Sequence, residues 1–123
     1  MEQQLFDAEL HIMRLLWSEG DKSAKELVTI LRDSIGWNKN TTYTVIKRLV
    51  QKGAIERIEP GFICRPLISE AEVQQAELDH LVNRMFHGSS KLFFAALLDR
   101  QKLSDETRAA LLRLLEERKE DSP

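Results

Sequence analysis

Cysteine occurs once in this 123-residue chain, at Cys64, and a lone thiol excludes both an intrachain disulfide framework and any metal site built on cysteine pairs. Long apolar runs are missing too. The longest, Leu92 to Leu98, has seven residues, against the roughly 20 a helix needs to cross a bilayer, so no membrane insertion is expected. The N-terminus lacks a basic segment followed by an apolar stretch, so no secretory leader is expected and the compartment reads as cytoplasmic. Histidine is scarce: His11, His80 and His87 have no spacing that makes a metal triad. Ser89 and Ser90 near His87 have no accompanying Asp or oxyanion element and read better as a helix cap. No catalytic residue, metal or cofactor is therefore expected, and the chain reads as a non-enzyme. What remains is 42% apolar and 31% charged, an ordinary globular mixture that fits neither disorder nor a fibrous repeat. The length allows one domain, or a small domain with an oligomerisation element.

The net charge of −2 hides an uneven distribution. Residues 1–38 carry a net −3, residues 39–65 a net +4, and residues 66–123 a net −3. A basic block between two acidic ones is the footprint of a phosphate-binding surface, although a merely solvated basic face gives the same pattern.

Caps, apolar spacing and breakers place the elements. Asp7 is the expected cap of a helix with Leu10, Met13, Leu16 and Trp17 on its apolar face and Gly20 at its end. Ser23 and Glu26 form an S-x-x-E capping box before Leu27, Ile30 and Leu31, with a stop at Ile35-Gly36. Asn38 caps a third helix that carries Thr42, Val45, Ile46, Leu49 and Val50 on one face and stops at Gly53. Two short runs, 54–59 and 62–67, flank Pro60-Gly61, which is hairpin chemistry: Pro presets φ and Gly supplies φ > 0. After a second capping box, Ser69 with Glu72, helices are expected near 70–87, 90–101 and 105–119. The fold class is mainly α with a small β-hairpin. The order of elements is that of a winged helix-turn-helix over residues 1–68, followed by a helical dimerisation arm over 69–123.

The third helix is the informative one. Opposite its core stripe lie Asn40, Thr44, Lys47 and Gln51, flanked by Thr41 and Arg48. Short polar side chains near the N-terminal end can reach base edges in a major groove, and the cations that follow can reach phosphates. The same face could simply be solvated. Tyr43 borders the two faces, where packing and a phosphate contact are equally open. Arg57 and Arg65 are the hairpin's candidate phosphate contacts.

Several motifs in order carry a family resemblance: Asp7-Ala8-Glu9-Leu10, Leu16-Trp17, Ser23-Ala24-Lys25-Glu26-Leu27, Trp37-Asn38-Lys39-Asn40-Thr41-Thr42-Tyr43-Thr44-Val45, Lys47-Arg48-Leu49-Val50-Gln51-Lys52-Gly53-Ala54-Ile55 and Pro66-Leu67-Ile68-Ser69. Together they resemble the penicillinase-repressor family (BlaI/MecI/CopY). The resemblance implies a homodimeric winged-helix repressor of inverted-repeat DNA operators, dimerised through its C-terminal helices, with the family's recognition threonines on Thr41 and Thr44. It also makes a membrane sensor-protease a candidate partner. The departures are specific. Lys39 stands where the family often has proline, and Thr42 where it often has an aliphatic residue. The wing is short and has no cation at its tip. Ala96-Leu97 replaces the Asn-Phe bond cut in the penicillinase branch, so induction by that cut is not expected. The paired C-terminal cysteines of the copper branch are absent, which excludes copper sensing by that motif.

The arm has its own logic. Leu92 to Leu98 is apolar all round, which a 55-residue arm cannot bury by itself. Two-fold pairing is the commonest remedy, with Leu81, Met85, Phe86, Phe93, Phe94, Leu97, Leu111 and Leu114 as candidate dimer residues. A winged helix that binds protein partners and not DNA is the alternative reading, which the acidic flanks permit. At Cys64, packing is the default over a redox role.

Overall fold

The computed structural model describes residues 4–100 and 103–121. The first three residues, part of the segment read for a leader, and residue 101, the expected end of the fifth helix, lie outside them.

Helix starts follow local capping chemistry. In α1 (Asp7–Glu19) the N-cap is Phe6 and not the expected Asp7. The reason is the acid three residues into the helix: the Phe6 N–H donates to Glu9 Oε1 at 2.8 Å, which satisfies the terminal donor one residue earlier. For α2 (Ala24–Ile35) the capping box forms reciprocally. The Glu26 N–H donates to Ser23 Oγ (3.1 Å) and the Ser23 N–H to Glu26 Oε1 (3.0 Å). That backbone hydrogen bond from Ser23 is the main cause holding the Glu26 carboxyl below its usual range. In α3 (Lys39–Lys52) Asn38 Oδ1 accepts the Thr41 N–H at 2.8 Å. Both α2 and α3 end on left-handed glycines, Gly36 and Gly53, where a side chain would be strained.

The expected hairpin is present as β2 (Ile55–Ile58) and β3 (Ile63–Pro66), turned at Pro60-Gly61 with Gly61 at φ 97°. A third strand, β1 (Lys22–Ser23), joins it and gives an antiparallel sheet of order β1-β3-β2. Lys22 lies opposite Cys64 and Ser23 opposite Ile63. The Ala24 N–H extends the pairing by donating to the Phe62 carbonyl at 2.9 Å.

The core joins Ile12, Met13 and Leu16 of α1, Leu27 and Leu31 of α2, Val45, Ile46 and Leu49 of α3, and Ala54, Ile55 and Cys64 of the hairpin. Leu10 and Trp17, expected inside, pack at its edge. The expected core position of Val50 is a correction: it is 40% exposed. The buried stripe 42, 45, 46, 49 continues at three- and four-residue steps to 52 and 53, which turns residue 50 outward. The Trp17 indole N–H donates to the Ile68 carbonyl at 2.9 Å, fastening the exit of the hairpin to α1. Burial pushes the Cys64 thiol up to about 11, with the nearby Arg57 charge opposing it only in part. The thiol is thus neutral near pH 7, which suits packing and not redox chemistry.

Thr42 is fully buried and its Oγ1 has no hydrogen-bond partner among the described residues. Replacing the hydroxyl by a methyl group of the same shape removes a desolvation penalty of about 1 to 3 kcal/mol. Thr42→Val is therefore expected to stabilise the fold by roughly 1 kcal/mol, raising the thermal midpoint by about 4 to 8 °C. A circular-dichroism melt checks this, and a lower midpoint would mean the hydroxyl is satisfied after all.

The chain divides into two compact units, the first ending at Asp79 and the second beginning at His80. The dividing point falls inside α4 (Glu70–Met85), which Ser69 caps by accepting the Glu72 N–H at 3.0 Å. Val73 and Ile68 pack against the core of the first unit. In the second unit, α5 (Ser90–Arg100) is capped by Ser89 and α6 (Asp105–Asp121) by Ser104, whose hydroxyls accept the Leu92 and Thr107 N–H groups, each at 3.1 Å. Phe86 and Phe93 pack edge to face with ring centres 5.6 Å apart, and Phe94 stands 5.4 Å from Phe93. No described residue of α4, α5 or α6 is buried. Among the described residues no helix is long and apolar enough to cross a membrane.

Candidate nucleic-acid interface

The outer face of α3 follows from its inner one. With Thr42, Val45, Ile46 and Leu49 buried, the helical period puts Asn40, Thr44, Lys47, Arg48 and Gln51 in solvent and leaves Thr41 and Tyr43 half-buried. Thr41 differs from Thr44 in chemistry. Its hydroxyl donates to Asn38 Oδ1 at 3.0 Å, so toward solvent it offers lone pairs and no proton. The Thr44 hydroxyl has no partner among the described residues and can donate or accept. Lys47 and Arg48 form no ion pair among the described residues, and α3 contains no acid. Two cations with no ion pair among the described residues thus lie one turn beyond Thr44 and about two turns beyond Thr41.

Lys52, the last residue of α3, points inward. Its Nζ lies 2.7 Å from Glu9 Oε1, donates to the Gln4 carbonyl at 2.9 Å and sits 4.3 Å from the centre of the Phe6 ring. The pair is well covered, with side-chain exposures of 15% for Lys52 and 1% for Glu9. It ties the end of the recognition helix to the start of α1. Sequence reasoning passed over it. The available signal was an acid in the apolar register of α1 together with a lysine in the apolar register of α3.

The hairpin's two candidate cations are differently placed. Arg57 stacks its guanidinium 3.7 Å from the centre of the Phe62 ring, and its Nε lies 2.7 Å from Glu59 Oε1. Phe62 meets Tyr43 edge on at 5.8 Å, and the Lys39 ammonium lies 5.9 Å from the Tyr43 ring centre. A run of cation, aromatic, aromatic, cation therefore links the hairpin to the first turns of α3, and it gives Tyr43 a packing role. Arg65 belongs to the other face of the hairpin, because it lies opposite Glu56 while Arg57 lies opposite the buried Cys64. Arg65 Nε is 3.0 Å from Asp21 Oδ2, and its Nη1 is 3.7 Å from Glu56 Oε1. Five of the predicted residues, Asn40, Thr41, Thr44, Lys47 and Arg48, thus share one helix face, Tyr43 and Arg57 join through Phe62, and Arg65 stands apart.

Three helices closed by a small antiparallel sheet, with the third helix offering a free polar face, define a winged helix-turn-helix protein. The chain belongs to the penicillinase repressor family, whose model matches residues 5–117. It is similar to the penicillinase repressor of Bacillus licheniformis, at 29% identity over 118 residues, 94% of this chain and 92% of that protein. Similarity extends to the methicillin resistance regulatory protein MecI of Staphylococcus aureus (strain N315), at 22% identity over 105 residues, 84% of this chain and 85% of that one. Among solved structures, the DNA binding domain of the repressor BlaI matches with a TM-score of 0.54 and 30% identity, over 58% of this chain and 90% of that one. The Bacillus licheniformis BlaI monomeric form in complex with the blaP half-operator matches with a TM-score of 0.52 and 30% identity, over the same shares. The first of these relatives is named as a repressor and the second as a regulatory protein.

Proposed function

We propose that this chain is a cytoplasmic, homodimeric transcriptional repressor that binds an inverted-repeat DNA operator. The observation that carries the reading is the outer face of α3, where Asn40, Thr41 and Thr44 precede Lys47 and Arg48, cations with no ion pair among the described residues. The half-operator complex of the similar BlaI supports it. In this reading α3 enters the major groove, the threonines and Asn40 meet base edges, and Lys47 and Arg48 hold phosphates on either side. Arg57 and Arg65 are the wing's phosphate contacts, and Tyr43 sets the wing against α3. Residues 1–68 act as the DNA-binding module and 69–123 as the dimerisation arm. Ala96-Leu97 lies in the middle of α5, so a membrane sensor-protease, if it is the inducing partner, acts other than by a cut there.

Thr44→Ala is expected to lower discrimination between preferred and altered half-sites by about 1 to 3 kcal/mol. Lys47→Ala is expected to weaken all sequences alike and to flatten the dependence of log affinity on log salt by about one unit. Titrating operator fragments selected from random duplexes at several salt concentrations separates the two roles. A change of sequence preference in Lys47→Ala would reverse the assignment. Absence of any salt-dependent duplex binding would favour the protein-interaction reading.

A further inference from the structure

We propose that Glu59 and Asp21 set the affinity of the wing by holding its two guanidinium groups in competition with DNA phosphate. The proposal rests on the DNA-binding reading above and adds Glu59 and Asp21 to the residues it names. Along the hairpin from Ile55 to Pro66 the charges are Glu56, Arg57, Glu59 and Arg65, so the wing brings no net positive charge to a polyanion. Its cations are individually engaged as well. Arg57 Nε is 2.7 Å from Glu59, and Arg65 Nε is 3.0 Å from Asp21 with Glu56 at 3.7 Å from its Nη1. The contrast with α3 is internal to the molecule: among the described residues Lys47 and Arg48 have no acidic partner, whereas each wing arginine has at least one.

These carboxylates act in two ways that add. Each occupies donors that a phosphate oxygen would otherwise accept, and each places a negative charge where a phosphate would come. Wing binding is then an exchange, in which a guanidinium leaves a carboxylate for a phosphate and the carboxylate returns to water. Phe62 makes the exchange possible for Arg57, since the stacked guanidinium keeps its place over the ring while its edge changes partner. All the acids involved are partly exposed, and exposed ion pairs are weak enough to be displaced. The effect is a repressor whose hold on DNA is carried by α3 and tempered by the wing, which favours release.

Glu59→Gln and Asp21→Asn, each in the full-length chain, test this by fluorescence anisotropy on the selected operator duplex over a range of salt. Each is expected to tighten binding on the order of fivefold at low salt, and to steepen the salt dependence by about one unit as one more cation becomes available to phosphate. Adding Arg57→Ala to Glu59→Gln is expected to abolish the gain. Unchanged affinity and slope in both variants, with Lys47→Ala still weakening binding, would overturn this proposal and leave the DNA reading standing. Weaker binding by Glu59→Gln would also overturn it, because the carboxylate would then be aiming Arg57 at phosphate and not withholding it. Wild-type protein that binds no duplex in a salt-dependent way would sink both.

Discussion

Lys52→Ala is expected to destabilise the first unit by about 3 to 5 kcal/mol, the cost of leaving a buried carboxylate without its counter-charge. Among the described residues Glu9 is the most enclosed acid, at 1% exposure, and only one of its oxygens is served there. Glu9 Oε1 receives the Phe6 N–H and the Lys52 ammonium, while Oε2 is buried with no hydrogen-bond partner among the described residues. Removing Lys52 therefore strips the carboxylate of its strongest partner and leaves the Gln4 carbonyl without its donor. Against a total stability of roughly 5 to 15 kcal/mol for a small domain, the loss is a large fraction of the whole. Urea denaturation followed by circular dichroism measures it. The pair replaced together, Glu9→Gln with Lys52→Met, is expected to recover most of the loss, because a neutral pair avoids burying an unpaired charge. A cost below about 1 kcal/mol for Lys52→Ala would show that water reaches Glu9. The stake is geometric: this pair and the core beside it hold α3 at its angle to α1, on which the proposed groove contacts depend.

Phe94→Glu is expected to convert the proposed dimer to monomers and to weaken operator binding by about 100- to 10,000-fold, the usual worth of making a second half-site contact intramolecular. Phe94 is 56% exposed in the single chain. Met85, Leu97, Leu111 and Leu114 are exposed as well, and Leu81, Phe86 and Phe93 are half-buried. So much apolar side chain left in water on three consecutive helices calls for a partner surface, and in the proposed repressor that surface is the same arm of a second copy. A carboxylate at the centre of the pairing would have to be desolvated without a counter-charge. Because Phe94 is outward-facing, the substitution leaves the helices of each chain intact, and an unchanged circular-dichroism spectrum would certify that. Light scattering that still finds a dimer would place the interface elsewhere on the chain.

Local chemistry by itself determined most of the architecture of this protein. Ser23, Asn38, Ser69, Ser89 and Ser104 cap the helices they precede, Gly20, Gly36 and Gly53 end the first three, and Pro60-Gly61 turns the hairpin. These signals act within four residues, so they are written directly in the order of the chain. The polar face of α3 was legible for the same reason, since a 3.6-residue period converts spacing into direction. Tertiary structure alone decided the rest. The Glu9–Lys52 pair joins residues 43 positions apart, and the Trp17–Ile68 hydrogen bond spans 51. β1 is two residues long and exists as a strand only because β3 lies beside it. Arg57 and Arg65 look equivalent in sequence, yet opposite faces of one hairpin give the first an aromatic ring and the second a carboxylate from the segment before β1. Such pairings depend on which surfaces packing brings together, because burial rewards total enclosed area and not sequence order. Capping and periodicity therefore laid out α3 and its polar face, whereas tertiary packing decided the partners of the charges beside it.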